Sequence, residues 1–196
     1  MKGHHCRAVF LDKDSTLIEP HSWHVDTCKI RLSPGAGSSL YRLQTLGYQL
    51  FVVSHESGIG RGLVDETALA GVNACLRQLL TTHGVRLGDF YHCPHWLHSM
   101  KAKYAAICQC QKPAPGLLLR AARQHGLDLT HCWMVGDDLD DVEAGRRAGC
   151  HTVLLSNDNE IEWMCSPLRR PHRLARGLPE AAEIIEQYLL AQQAHV

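Results

Sequence analysis

Ala8-Val9-Phe10-Leu11-Asp12-Lys13-Asp14-Ser15-Thr16 sets four apolar residues directly against two acids spaced two apart. The apolar part reads as the first of about five short β-rich runs, the others being Gln49 to Val53, Phe90 to His92, Cys132 to Val135 and Thr152 to Leu155. Longer stretches with helical spacing alternate with them: Ser38 to Leu46, Asp65 to His83, Pro115 to His125 and Asp141 to Ala148. Gly47, Gly84, Gly126 and Gly149 follow these stretches as C-terminal stops. Such alternation predicts an α/β domain, Rossmann-like and three-layered, with a parallel sheet of about five strands. A last amphipathic helix is expected from Pro179 to Leu190, after an Arg-rich segment, Ser156 to Gly177, to which the pattern assigns no role.

A chain of 196 residues, 45% hydrophobic and 20% charged, fits one domain spanning residues 1–196. Twenty basic residues balance twenty acidic ones, so no global field draws the chain to nucleic acid or to an anionic membrane. The first apolar run meets Asp12 too early for a signal peptide, and no later stretch is apolar enough to span a bilayer. The expectation is a cytoplasmic protein, a monomer. Its nine cysteines are an odd number and fit reduced thiols better than a disulfide framework.

In open parallel sheets, ligands bind beyond the carboxyl ends of the strands. Four strand ends here carry capable groups: Asp12 and Asp14, Ser54 to Gly58, Cys93 to His95, and Asp137 to Asp141. Asp12 and Asp14 share a face and repel each other unless a cation such as Mg²⁺ relieves them, although a cap or solvated turn has the same composition. Ser54-His55-Glu56-Ser57-Gly58-Ile59-Gly60-Arg61-Gly62 offers a hydroxyl and a glycine-bearing turn whose N–H groups can hold phosphate oxygens; a plain flexible connection reads the same way. Lys112-Pro113-Ala114-Pro115 places an ammonium group near a helix N-terminus, where anions are already favoured. Gly136-Asp137-Asp138-Leu139-Asp140-Asp141 supplies a further hard-cation ligand, or else a solvated acidic surface.

From Ala8 to Leu155 these four elements, in this order, resemble the haloacid dehalogenase superfamily. The resemblance implies a nucleophile at Asp12, a general acid and base at Asp14, phosphoryl-holding groups at Ser54 and Lys112, and a magnesium site of Asp12, Asp14 and Asp137 with Asp141 in support. Only about forty residues separate Asp14 from Ser54, too few for a separate cap domain. Access to the site is therefore expected to fall to Glu19 to Thr27, with His21, Trp23 and His24, and to a second loop.

That loop carries Cys93-Pro94-His95 and Cys108-Gln109-Cys110. Two pairs, each with one residue between its members, supply three thiolates and an imidazole, the donor set of a closed structural Zn²⁺ site. With Lys112-Pro113-Ala114-Pro115-Gly116 after it, the cluster is similar to the zinc-bearing branch that contains heptose-bisphosphate and histidinol-phosphate phosphatases, and Phe51 to Gly62 lies nearer the heptose group. The likeness implies a small phosphorylated metabolite as substrate, bound around His55, Glu56, Ser57, Arg61 and Gln111. A non-catalytic phosphate-binding module is the competing class. This chain departs from the branch at Ser15, where Gly is usual, at Ser54, His55 and Glu56 for Thr, Asn and Gln, at Gln111 for Arg, and at Asp138 for Lys. The exchanges at 56, 111 and 138 make the entrance less attractive to a second phosphate.

Overall fold

The computed structural model describes residues 6–20, 27–156 and 166–194. Its described elements are β1 (Ala8–Leu11), α1 (Ala36–Thr45), β2 (Gln49–His55), α2 (Ser57–Gly60), α3 (Glu66–Thr81), β3 (Phe90–Cys93), α4 (Gly116–His125), β4 (Trp133–Gly136), α5 (Leu139–Ala148), β5 (His151–Leu155), β6 (Arg173–Ala175) and α6 (Leu178–Ala194), with short 3₁₀ turns between them. All strands run parallel in the order β3-β2-β1-β4-β5-β6. The order reverses between β1 and β4, which opens a crevice beyond their carboxyl ends.

The central strands β1 and β4 are apolar and buried at every position because both faces are covered. Val9, Leu11, Leu50, Val52, Trp133, Val135 and Val153 face one way and meet Leu40 and Leu43 of α1, Val72, Leu76 and Leu80 of α3, and Ile185 and Leu189 of α6. Their neighbours Ala8, Phe10, Phe51, Val53 and Met134 face the other way and meet Leu117, Leu118 and Ala121 of α4 and Ala144 of α5. Three layers result. Burying one such Leu or Phe contributes about 1.5–3 kcal/mol, so the two half-cores fix the sheet and with it the positions of the strand ends.

All four predicted helix stops have positive φ. At Gly126 (φ 62°) and Gly149 (φ 90°) the backbone is left-handed, a conformation in which a Cβ would be strained.

The sheet has six strands rather than about five. The sixth, Arg173–Ala175, lies inside the segment to which the sequence pattern assigned no role. It is a three-residue edge strand with two exposed positions, too short to show a period of two. The same segment is anchored by Arg169, which donates to Asp140 Oδ1 at 2.5 Å and Glu143 Oε2 at 2.9 Å on α5. The chain between β1 and β2 contributes only a 3₁₀ turn and α1 among the described residues, in keeping with the absence of a large cap. His21, Trp23 and His24, expected to control access, lie outside the described residues.

Candidate active site and Cys/His cluster

Asp12 follows β1 directly, and its N–H donates to Val135 O of β4 at 2.9 Å, which fixes it at the crevice. Lys112 reaches it from the turn before α4. The Lys112 Nζ donates to Asp12 Oδ1 and to Asp141 Oδ1, both at 2.5 Å, and lies 3.4 Å from Val53 O. Only 8% of Lys112 and 1% of Asp141 is exposed, so this is a buried ionic junction between three elements. Burial pulls the ammonium pKa down, but attraction to Asp12 and Asp141 outweighs it and holds the pKa above the ordinary lysine value. Burial also pushes the Asp141 pKa up against the pull of Lys112. An ammonium shared by two carboxylates at hydrogen-bond distance holds the junction in its charged form.

Asp141 is more than a helix-start acid. It stands at the third position of α5 in a capping box with Asp138, and its Oδ2 accepts from Asp138 N at 3.3 Å. Gly136 is required beneath it, because a Cβ there would collide with the Asp141 carboxylate. The family likeness gives Asp141 a supporting part only; the signal for more is the Asp-x-x-Asp spacing from 138 to 141.

Asp12, Asp137 and Asp141 each bring a carboxylate oxygen within 4.8 Å of the others. Asp141 already serves Lys112 and Asp138 N, which leaves Asp12 and Asp137 as the pair suited to a hard cation. Asp137 sits at the solvent-facing rim, yet the protein packed around its carboxyl, and then the charge of Asp12, push its pKa up to about 6. Two close acids with one raised pKa fit a site that takes Mg²⁺. Thr16, fully buried, donates to Asp137 Oδ1 at 3.2 Å and orients it, a role the sequence reading did not assign.

The Asp14 carboxylate is not in this acidic group. Its side chain is 47% exposed, with Lys13 Nζ 3.5 Å from Oδ2. Ser15 follows with φ 60°, so the chain turns sharply just after Asp14.

Ser54, 5% exposed at the end of β2, donates its hydroxyl to Glu56 Oε1 at 2.8 Å. His55 Nε2 lies 3.1 Å from His95 O, and the Arg61 guanidinium is 5.0 Å from the centroid of the Trp96 ring. Both are thus tied to the loop after β3, and Gly60 of α2 packs where a Cβ would strike Pro94 O and Trp96 N. Ser57 opens α2. Gln111 is exposed, immediately before the buried Lys112.

In that loop Cys93, His95, Cys108 and Cys110 converge. Cys93 Sγ lies 3.4 Å from His95 Nδ1 and 3.6 Å from Cys108 Sγ; Cys110 Sγ lies 3.2 Å from both His95 Nδ1 and Cys108 Sγ. Four donors around zinc at about 2.3 Å would stand about 3.8 Å apart, slightly wider than these separations. The thiols are not in disulfides. Three sulfurs and one imidazole nitrogen at such distances fit a tetrahedral zinc ion. Tyr104 braces the loop by donating to Glu66 Oε1 of α3 at 2.6 Å, and Gly116 N ties its far end to Gln109 O at 2.9 Å.

A HAD-hydrolase-like family model matches residues 109–181. A D-glycero-beta-D-manno-heptose-1,7-bisphosphate 7-phosphatase from Photorhabdus laumondii is 34% identical over 148 residues, covering 76% of this chain and 79% of the relative. One from Pasteurella multocida is 34% identical over 156 residues, covering 79% and 84%. Among solved structures, a putative HAD-like phosphatase from Mesorhizobium loti superposes with a TM-score of 0.81 at 30% identity, covering 93% of this chain and 87% of that one. A D,D-heptose 1,7-bisphosphate phosphatase from B. bronchiseptica, complexed with magnesium and phosphate, shares the fold with a TM-score of 0.74 at 23% identity, covering 93% and 98%. With Asp12 and Asp137 at strand ends and Lys112 reaching Asp12 from the turn before α4, the class is a phosphoric monoester hydrolase. The chain belongs to the haloacid dehalogenase superfamily and, within it, to the heptose 1,7-bisphosphate phosphatase branch.

Proposed function

We propose that this chain is a magnesium-dependent phosphatase of a phosphorylated sugar, most like D-glycero-D-manno-heptose 1,7-bisphosphate, working through a phosphoaspartyl intermediate. The observation that carries the reading is the Asp12–Lys112–Asp141 junction at the point where the strand order reverses. Lys112 holds the Asp12 carboxylate in one orientation toward the crevice. Asp12 attacks phosphorus in line, forming a new P–O bond as the ester P–O bond breaks, and Asp14 gives its proton to the leaving sugar oxygen. Asp14 then takes a proton from the water that attacks the phosphoaspartate, which regenerates Asp12 and releases inorganic phosphate. The part-exposed side chain of Asp14 suits a group that meets both leaving group and water. Asp12 and Asp137 would hold Mg²⁺, which would supply positive charge to the phosphoryl oxygens, and Asp14, whose carboxylate lies outside that acidic group, would complete the site. Thr16 and Lys112 keep the two acids aimed at it.

Cys93, His95, Cys108 and Cys110 hold a structural Zn²⁺ that fixes the loop beside His55 and Arg61. The chain acts as a monomeric single domain in the cytoplasm, where reduced thiols keep that donor set intact.

The test is phosphate release from the heptose bisphosphate, from histidinol phosphate and from a generic aryl phosphate, with and without Mg²⁺. The expected result is Mg²⁺-dependent turnover with the highest kcat/KM for the sugar bisphosphate, and loss of turnover in a folded Asp12→Asn variant. A variant retaining a tenth of wild-type activity would remove Asp12 as nucleophile. A higher kcat/KM for histidinol phosphate would move the substrate to the other half of the branch. Phosphate binding without turnover of any ester would leave only a binding module.

A further inference from the structure

Glu56 occupies a position from which its carboxylate could cap α2, yet it makes no side-chain cap bond there. Its backbone N–H is fixed to Cys93 O at 2.8 Å, and its side chain turns inward. One oxygen, Oε1, accepts both from the Lys13 ammonium and from the Ser54 hydroxyl, the latter at 2.8 Å. Lys13 and Ser54 are almost fully buried, at 3% and 5% exposed, and both stand beside the nucleophile candidate: Lys13 follows Asp12 in sequence, and Ser54 is the last residue but one of β2, the strand paired with β1.

A serine hydroxyl has a single proton to donate. In this arrangement its hydrogen bond goes to Glu56, and Lys13 pairs with the same oxygen while its Nζ also lies 3.5 Å from Asp14 Oδ2. These are the two donors that an anion arriving next to Asp12 would seek. We infer that Glu56 is a positioning residue that competes with phosphate for the Ser54 hydroxyl, holding Ser54 and Lys13 until an anion arrives and keeping the affinity for the released phosphate low. The inference rests on the phosphatase reading above. When a phosphoryl group binds, the Ser54 hydroxyl rotates and redirects its hydrogen bond from Glu56 Oε1 to a phosphoryl oxygen, while Lys13 stays with Glu56. Weak product binding follows from the same carboxylate that orders the donors, which matters where product release limits turnover.

The experiment measures inorganic phosphate binding by calorimetry in the presence of Mg²⁺, next to kcat and KM for an aryl phosphate, in wild type and Glu56→Gln. Removing a like charge near a partly buried anion site should tighten phosphate on the order of tenfold. KM should fall with it, while kcat does not rise. If Glu56 only braced the fold, the variant would lose kcat and phosphate affinity together. Where Glu56→Gln alone proves too unstable, Lys13→Met is compared with Lys13→Met/Glu56→Gln, and the double variant should bind phosphate more tightly. Unchanged or weaker phosphate binding in a folded variant, beside an active wild type, overturns the inference alone. A wild type that neither binds phosphate nor turns over an ester overturns the phosphatase reading with it.

Discussion

Asp141 Oδ1 lies 2.5 Å from Lys112 Nζ at almost complete burial, so the lysine that orients Asp12 is itself held from the first turn of α5. Asp141→Asn removes one of its two carboxylates and leaves Asp12 as the remaining one. A hydrogen bond to a charged group contributes about 1.5–3 kcal/mol, and urea unfolding should show a loss of that size. The kcat should fall as well, because Lys112 is then free to pull Asp12 toward itself. A variant as stable as wild type would show that the junction is not held as described.

Asp137 gives a pH dependence to metal binding. Its pKa is raised from 3.8 to about 6, first by burial of the carboxyl and then by Asp12. A carboxyl with a raised folded-state pKa contributes stability below its unfolded value, and that contribution is lost as pH rises through about 6. Mg²⁺ requires the charged form, so it should bind weakly at pH 5, tightly at pH 7.5, and raise Tm more at the higher pH. Calorimetry in two buffers of different ionisation enthalpy should detect proton release on Mg²⁺ binding near pH 6. Affinity that does not change between pH 5 and 7.5 would exclude Asp137 as a ligand.

The Cys/His cluster predicts a second metal with a different role. Cys108→Ser and Cys110→Ser should each lower zinc content and thermal stability, because the free energy of binding at such a site is also folding free energy. The loop it braces carries Trp96, against which Arg61 packs, so some rise in KM should accompany the loss. Elemental analysis finding no zinc in protein purified without chelators would count against the site.

Much of this architecture is legible in the sequence because both faces of the sheet are buried, which leaves apolar runs and helix-stopping glycines as plain marks. The polar strand ends follow from the same marks, and Asp12, Lys112 and Asp137 do converge at the crevice. What the sequence hides is pairing. Lys13 lies between two acids, and nothing in the sequence marks it as buried against Glu56. Thr16 lies four residues beyond Asp12, and only the turn at Ser15 brings its hydroxyl back to Asp137. The likeness puts His55 around the substrate, and nothing in the sequence marks the contact of its ring with His95 O. β6 escapes notice because three residues at an edge carry no period.

Gln111 offers the sharpest test of substrate choice. It stands exposed one residue before Lys112, and its carbonyl accepts from Ala114 N at 2.9 Å, so the backbone at this position is fixed. An amide there lacks the charge and the bidentate fork of a guanidinium. Gln111→Arg should raise kcat/KM for heptose 1,7-bisphosphate, by about 1.5–3 kcal/mol if one charged hydrogen bond to the second phosphate is gained. A sugar monophosphate has no such second anion, so its kcat/KM should move little. The ratio of the two values is therefore the quantity to measure, since a general change in stability or metal content cancels from it. An unchanged ratio, beside a wild type that already prefers the bisphosphate, would assign the reading of the second phosphate to another residue.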